Sequence, residues 1–306
     1  MIKKLPESLN DGKKRWELYD DVEYDAFWKD WDQKIQDKLE KYLISRMLPK
    51  RGLRVIDVGC GHGRLFNCYK DRFHTVILFD GSINLLKKAL NEYGKSRDNV
   101  FFVAGDVNFL PFKEASFDCV LMIRVLQHLF DVEISFREIH RVMSRAGEFI
   151  FSYHNKQNAH RILNWFLGKE TDNPFSKKSK EVSPALISHH PTYIKKELYE
   201  AGFQHPYYLG AVFIKQIAKL SENISGRSIP GSHWARFMGK LRLAPWMIGK
   251  TSAIKRLQLI PGLKLTDILV CPTCRVSVHY IPGTYLCPSC DRKFYTREGI
   301  LDFRPY

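Results

Sequence analysis

The chain has 306 residues, of which 44% are hydrophobic and 26% charged, which excludes a disordered chain and is typical of a globular protein. The apolar run CVLMIRVLQHLF is broken by Arg124 and is too short to span a bilayer. The first 21 residues are polar and lack the apolar core of a signal peptide, so we expect a cytoplasmic protein. Seven cysteines, an odd number, do not form a secreted disulfide framework.

The formal net charge is +15, and most of it is concentrated in one segment. Residues 151–270 contain 18 Lys and Arg against 7 Asp and Glu, so this segment carries 11 of the 15 excess positive charges. Such an excess suggests an anionic partner, which is a nucleic acid, an acidic membrane surface or an acidic substrate. A basic face that only contacts solvent is the alternative.

Short apolar segments alternate with amphipathic helical segments between residues 53 and 154. The predicted strands are 53–58, 75–80, 99–106, 116–123 and 147–154, and the predicted helices between them are 63–72, 82–93 and 132–143. Strands and helices that alternate at this spacing indicate an α/β fold with a parallel sheet. Ligands of such sheets bind at the carboxyl ends of the strands.

The segments on either side of this α/β region differ in character. Residues 14–50 are predicted to be helical and are rich in aromatic residues. Residues 155–190 interrupt the alternation as an insertion, before a predicted helix at 191–203 and a strand at 207–214. The predicted boundaries are 1–50 for an N-terminal helical cap, 51–215 for the α/β domain, 216–266 for a basic helical connector and 267–306 for a small cysteine-containing domain.

The segment VIDVGCGHGRL at residues 55–65 joins the first strand to the first helix through a glycine-rich loop. A dinucleotide-binding loop has the spacing G-x-G-x-x-G, which would place a glycine at position 64, where this chain has Arg64. The glycines are instead Gly59, Gly61 and Gly63, and Asp57 precedes them. Because a carboxylate repels a pyrophosphate and attracts an ammonium group, we expect a ligand that carries an amino group.

Two further acids follow the next predicted strands. Asp80 ends the second strand and could accept hydrogen bonds from both hydroxyls of a ribose. Asp106 ends the third strand, where it could accept from an adenine amino group while the Val107 N–H faces a ring nitrogen. An amino acid, a ribose and an adenine together compose S-adenosylmethionine. NAD stays as an alternative ligand, because Asp80 lies 21 residues beyond Gly59 and suits either molecule.

Four segments together resemble class I S-adenosylmethionine-dependent methyltransferases of the type that shares the quinone-methyltransferase pattern: VIDVGCGHGRL, LFDGS, AGDVNFLPFKEASFDCVLMIRVLQHL and AGF. The resemblance covers residues 51–154 and 191–215 and implies a Rossmann-like, mostly parallel sheet of seven strands. The residues that it assigns to the cofactor are Asp57, Gly59, Gly61, Gly63, Asp80, Gly81, Asp106, Val107 and Ile123. It also implies that Ile123 and Arg124 open toward the methyl acceptor.

The C-terminal region carries four cysteines in two close pairs. Their spacing is C-x2-C-x12-C-x2-C, and the residues are Cys271, Cys274, Cys287 and Cys290. Four thiolates at this spacing predict a closed, structural Zn²⁺ site, whereas two independent redox dithiols are the alternative. Residues 267–306 are too few to form a stable core without such a metal. The tail CDRKFYTREGILDF resembles the zinc ribbon of Trm112-like modules.

The sequence leaves the methyl acceptor open between two classes. His128 and His154 follow the fourth and fifth strands and are the candidate general bases, with a structural histidine as the alternative for each. One hypothesis is a small or lipid-like acceptor, with the N-terminal helix and the 155–190 insertion as a lid and a peripheral membrane contact through residues 233–265. The other is an RNA acceptor that the basic stretch and the zinc ribbon bind. A non-enzymatic RNA-binding or partner-activating protein is the third hypothesis, and the intact acids argue against it.

Overall fold

The computed structural model describes residues 31–94, 98–183, 186–211, 231–260 and 262–304. The predicted aromatic segment before residue 31 and residues 212–230 of the basic stretch lie outside the described residues. The helices are α1 (Trp31–Met47), α2 (Phe66–Tyr69), α3 (Ile83–Tyr93), α4 (Glu133–Val142), α5 (Ala159–Phe166), α6 (Pro191–Glu200), α7 (Gly231–Leu241) and α8 (Leu265–Ile268), with 3₁₀ turns at Val107–Phe109 and Leu126–His128.

Thirteen strands are present among the described residues. They are β1 (Gly52–Val58), β2 (Phe73–Asp80), β3 (Val100–Ala104), β4 (Phe117–Met122), β5 (Met143–His154), β6 (Lys180–Ser183), β7 (Leu186–Ser188), β8 (Tyr207–Ala211), β9 (Trp246–Ser252), β10 (His279–Ile281), β11 (Thr284–Leu286), β12 (Lys293–Arg297) and β13 (Ile300–Asp302).

Seven of these strands form the predicted sheet, in the order β3-β2-β1-β4-β5-β9-β8. Strands β3, β2, β1, β4 and β5 are mutually parallel, and β9 is antiparallel to both of its neighbours. The predicted α/β class with a Rossmann-like, mostly parallel sheet is therefore confirmed. The strand order reverses between β1 and β4, and a ligand crevice forms at such a point.

Both faces of the sheet are buried, which explains the nearly continuous apolar runs of its strands. Successive residues point to opposite faces, so Ile56 packs with α4 and α6, whereas Val55 packs with α1, α2 and α3. Local interactions define where two of the helices begin. Ser82 Oγ accepts a hydrogen bond from Leu85 N at the start of α3, and Pro191 is the first residue of α6. The carboxyl ends of the strands therefore sit in a rigid frame.

Strand β9 corrects the prediction that residues 216–266 form a helical connector. Trp246–Ser252 forms an interior strand of the central sheet, so the α/β domain continues past the predicted boundary at residue 215. Gly249 makes this possible, because a Cβ at that position would lie 2.3 Å from the Phe151 ring of the neighbouring strand. The local sequence does not predict this strand, because glycine and proline are scattered through the segment. Its pairing also depends on strands at distant sequence positions.

Strand β9 also bears on the prediction that residues 233–265 contact a membrane. Met247 is fully buried in the sheet, and the Trp246 ring lies against the Arg124 guanidinium, 4.5 Å from the ring centroid. The Lys255 ammonium donates to the backbone carbonyls of His140 and Arg141, at 3.1 and 2.8 Å. These side chains stabilise the fold and are not available to insert into a bilayer.

The insertion at 155–190 leaves the sheet at the end of β5 and returns to the same place. Its two ends meet in a parallel bridge between Asn155 and His189, and Lys156 N donates to His189 O at 3.0 Å. Between these ends lie α5 and the β6–β7 hairpin. No helix among the described residues is long and apolar enough to cross a membrane.

The cysteine-containing domain extends the central sheet to eleven strands. Its β10, β11, β12 and β13 are antiparallel to one another, and β13 pairs in parallel with β3. Phe303 N continues this pairing by donating to Ala104 O at 2.8 Å. The small domain thus covers the edge of the sheet next to the strand that ends at the predicted adenine site.

Candidate cofactor-binding site

A cavity of about 450 Å³ opens at the carboxyl ends of β1, β2, β3 and β4. Its lining residues come from the loop after each of these strands: Val58, Gly59, Gly61, Phe79, Asp80, Gly81, Leu85, Gly105, Asp106, Val107, Asn108, Arg124, Val125, His128, Leu129, Phe130 and Asp131. Six of the nine predicted cofactor residues are in this set, namely Gly59, Gly61, Asp80, Gly81, Asp106 and Val107. The structure therefore brings together residues that the sequence spreads over three loops.

The glycine loop after β1 has a backbone that only glycine adopts easily. Gly59, Gly61 and Gly63 have φ angles of +70°, +57° and +83°. A Cβ at Gly59 would lie 2.2 Å from Cγ2 of Val125, so this loop packs closely on the loop after β4. A Cβ at Gly61 would meet nothing within 4 Å, so here the left-handed backbone alone explains the glycine. Such a loop lets a ligand approach the main chain.

The Asp80 carboxylate joins two of the loops. Its Oδ2 accepts a hydrogen bond from Gly61 N at 2.8 Å, and its Oδ1 accepts from Ser82 N at 2.9 Å. A carboxylate offers about four acceptor positions in all. The side chain is half-buried at the cavity, which suits a pair of ribose hydroxyls.

Asp106 begins the 3₁₀ turn after β3, where its Oδ1 accepts from Asn108 N at 2.9 Å. Val107, Asn108 and Leu85 line the cavity beside it. This end of the cavity therefore combines a carboxylate, an amide side chain and apolar side chains, which suits a flat purine ring with an exocyclic amino group.

Three predicted cofactor residues are not among those that line the cavity: Asp57, Gly63 and Ile123. Asp57 is 2% exposed, and its Oδ2 accepts a hydrogen bond from the Tyr69 hydroxyl at 2.6 Å. Burial raises the pKa of this carboxyl to about 7, although the Tyr69 hydrogen bond opposes the shift. Asp57 thus supports the base of the glycine loop in this structure. Its contact to an ammonium group stays a prediction.

The two candidate general bases occupy different environments. His128 lines the cavity, close to Leu129 and Phe130. His154 is not among the lining residues, and its Nδ1 forms a 2.6 Å hydrogen bond with Ser188 Oγ. Burial, with a further effect of the Arg161 charge, lowers the pKa of His154 to about 4. His128 therefore lies at the cavity whereas His154 does not line it, and a catalytic role for His128 and a structural role for His154 stay predictions.

A buried ion-pair network adjoins the cavity through Arg124, which is one of the lining residues. Arg124, which has a left-handed backbone (φ 61°), directs its Nε at the Glu40 carboxylate of α1, 3.1 Å from each oxygen. The same carboxylate accepts from Arg64 Nη2 at 2.6 Å. The sequence gives no signal for Glu40, because no local pattern links a residue of α1 to one 84 positions later.

The four cysteines of the C-terminal domain also come together. Their Sγ atoms all lie within 4.8 Å of one another, and those of Cys271 and Cys290 are 3.9 Å apart. Sulfur atoms on a tetrahedral Zn²⁺ with Zn–S bonds of about 2.3 Å would be about 3.8 Å apart. The donor set and its spacing therefore fit a tetrahedral metal site.

The glycine loop, the strand-end acids and the sheet order define a class I S-adenosylmethionine-dependent methyltransferase domain. A family described as a methyltransferase domain matches residues 56–151, which confirms the resemblance over this part of the chain and supports S-adenosylmethionine as the cofactor.

Known proteins have similar sequences or folds. An uncharacterized protein of Methanocaldococcus jannaschii is 29% identical over 210 residues, which span 69% of this chain and 81% of that protein. Demethylmenaquinone methyltransferase of Thermobifida fusca is 33% identical over 118 residues, which cover 37% of this chain and 50% of that enzyme. The crystal structure of an S-adenosylmethionine dependent methyltransferase from Mesorhizobium loti has a TM-score of 0.51 at 20% identity, and covers 71% of this chain and 99% of that one.

The first prediction concerns Asp80. Replacing it by Asn removes the negative charge and exchanges one acceptor oxygen for an NH2 group, so one charge-assisted hydrogen bond worth roughly 1.5–3 kcal/mol is lost, and we expect the Kd for S-adenosylmethionine to rise by about 10- to 100-fold. Isothermal titration calorimetry would measure this change. The matched control is Glu92→Gln, an exposed acid outside the cavity, which should leave the Kd within twofold. Equal affinities for the two variants would contradict the assignment.

The second prediction concerns the buried His154. Its folded-state pKa of about 4 lies below the ordinary 6.5, so the unfolded chain binds more protons between these pH values and stability falls as the pH falls. The full effect is on the order of 3 kcal/mol. Urea unfolding at pH 5 and 7.5 should show a smaller pH difference for His154→Asn than for the unaltered protein. The exposed His279→Asn should behave like the unaltered protein. An unchanged pH difference in His154→Asn would refute this role.

Proposed function

We propose that the chain methylates a small, apolar or lipid-like acceptor with S-adenosylmethionine as the methyl donor. The observation that carries this proposal is the apolar border of the cavity. Leu129 and Phe130 line it, and Phe109 and Ile134 lie on the 3₁₀ turn and helix α4 that pack together next to it. Phe109, Phe130 and Ile134 remain 47%, 61% and 49% exposed. Exposed apolar side chains grouped at a cavity border are typical of a binding site for an apolar molecule.

In this proposal the protein positions the reactants and excludes water. Bound S-adenosylmethionine supplies an activated methyl group on a sulfonium. Asp80 would hold the ribose, Asp106 and Val107 the adenine, and the glycine loop the methionine portion. When the acceptor is a hydroxyl, His128 is in place to take its proton as the methyl group is transferred. Orientation of two bound reactants alone can contribute about 7–11 kcal/mol to such a reaction.

The relative that methylates a quinone precursor by its printed name, demethylmenaquinone methyltransferase, supports an apolar acceptor. The RNA alternative has less support from the described residues. Lys250 pairs with Glu148 at 2.7 Å and donates to Met47 O, and Lys255 pairs with Glu114 at 3.1 Å. Part of the basic stretch is therefore neutralised inside the protein and is not available to bind phosphates.

The third prediction tests the acceptor class. Protein incubated with S-adenosylmethionine labelled on its methyl group, a lipid extract and total RNA should place the label in the organic phase. Phe130→Ser should lower kcat/KM for the labelled acceptor about tenfold, because the apolar contact between this exposed ring and the bound acceptor is lost, and should leave the Kd for S-adenosylmethionine within twofold. The matched control is Tyr280→Ser, 62% exposed on β10. Label found only in RNA would overturn the proposed acceptor while leaving the methyltransferase class intact.

We also propose that the four cysteines bind one structural Zn²⁺ and that the metal stabilises the cofactor cavity from outside. Arg275, directly after Cys274, donates through Nη1 to Leu110 O at 3.0 Å, and its Nη2 pairs with Glu138 at 2.9 Å. Glu138 in turn accepts from Leu110 N at 3.0 Å. Leu110 ends the segment that begins at the adenine site, so a metal that orders the cysteine loop also orders this segment.

The fourth prediction concerns this metal. Elemental analysis should find one zinc per chain and none in Cys287→Ser, whereas Cys119→Ser, a buried cysteine outside the cluster, should retain it. Structural zinc in small modules contributes about 10–16 kcal/mol to folding, so residues 267–304 of Cys287→Ser should become sensitive to protease. We expect its Kd for S-adenosylmethionine to rise several-fold. Absence of metal, or absorbance of an iron–sulfur cluster, would contradict the assignment.

A further inference from the structure

Helix α5 lies on the surface with its apolar side toward solvent. None of its residues is buried. Leu163, Phe166 and the following Leu167 are 58%, 70% and 57% exposed. They are spaced three and four residues apart, so they share one side of the helix. The apolar side of a helix normally packs on a hydrophobic core, whereas none of the described residues covers this side of α5.

The loop after α5 enlarges this apolar surface. Phe175 is 42% exposed, and its ring centroid lies 6.5 Å from that of Phe166 and 5.8 Å from that of Trp165. The rings of Trp165 and Phe166 are themselves 5.1 Å apart. We call Leu163, Trp165, Phe166, Leu167 and Phe175 the aromatic patch. A contiguous exposed surface of this kind marks an interaction site.

The acids beside the patch are neutralised within the insertion. Glu170 and Asp172 both pair with Arg161, at 3.1 and 3.2 Å. Lys180 lies 3.4 Å from Glu170, and Lys156 lies 3.5 Å from Asp172. Because ion pairs neutralise these two acids, the flanking lysines of the insertion determine the charge of its surface.

Three exposed lysines flank the patch in sequence: Lys169, Lys177 and Lys178. None of them has an ion pair with another described residue. An aromatic surface bordered by free ammonium groups is complementary to an anionic bilayer, whose acyl region takes the rings and whose headgroups take the lysines. RNA would fit the lysines but would leave Leu163 and Leu167 exposed to water.

We propose that the aromatic patch is a docking surface for an anionic lipid bilayer. The insertion that carries it contacts the acceptor side of the cavity, because His189 Nε2 is 2.8 Å from Leu126 O, in the turn that contains His128. Docking would therefore bring the cavity near the membrane surface. The proposal does not require the proposed acceptor, since binding to vesicles is measured without cofactor or acceptor.

Flotation with vesicles tests the proposal on the full chain. The protein should bind phosphatidylcholine vesicles that contain 30% phosphatidylglycerol, and binding should weaken with added salt and with pure phosphatidylcholine. The double substitution Phe166→Ser and Leu167→Ser should lower the partition coefficient at least tenfold, and so should Lys177→Glu with Lys178→Glu. The matched controls are Tyr199→Ser, 78% exposed on α6, and Lys38→Glu with Lys293→Glu, both exposed. Controls that lose binding equally would refute a local docking surface.

Hydrogen exchange locates the contact. Amides of residues 159–167 should become protected when vesicles are added, and those of the exposed zinc-domain hairpin 279–286 should not. Equal protection of 159–167 without vesicles would show that another part of the chain covers the patch and would overturn the proposal. So would a concentration-dependent dimer that Phe166→Ser with Leu167→Ser abolishes, or salt-dependent RNA binding with no vesicle association.

Discussion

The cofactor cavity depends on one carboxylate that connects two strand ends. Asp80 accepts a hydrogen bond from Gly61 N in the loop after β1 and from Ser82 N at the start of α3. Its position at the end of β2 comes from the parallel pairing of β1 and β2, which aligns Val58 with Phe79 just before it. Since this pairing sets where the two strands end, it brings the loop after β1 next to the Asp80 carboxylate, at the edge of the sheet where ligands of such folds bind.

Helix α1 contributes to the structure around the cavity and does not only cover the sheet. The Glu40 side chain is 1% exposed and lies between Arg64, which follows the glycine loop, and Arg124, which follows β4. A buried carboxylate is costly unless it is paired, and two guanidinium groups meet that requirement here. Because Arg64 follows the glycine loop and Arg124 follows β4, one residue of α1 links the segments that come after two neighbouring strands.

The C-terminal domain is connected to the same cavity through the other edge of the sheet. Its last strand, β13, pairs with β3, and Arg275 contacts both Leu110 O and Glu138. The main-chain pairing protects an otherwise open strand edge, and the arginine fixes the segment after Asp106. The insertion also contacts the cavity region, since His189 contacts the turn that contains His128. Helix α1, the C-terminal domain and the insertion therefore each contact a segment that lines the cavity or leads from it.

The sequence by itself determined the α/β class, the strand-end acids Asp80 and Asp106, the glycine loop and the grouping of the four cysteines. These features are local, because a strand, a turn or a C-x2-C pair is specified by residues within a few positions of one another. Only the tertiary structure decided that Trp246–Ser252 is an interior strand, that Asp57 faces Tyr69, and that His128 reaches the cavity while His154 is bonded to Ser188. Each of these depends on partners tens of residues away or on which face of a strand a side chain occupies, and local sequence patterns do not encode which distant partners meet.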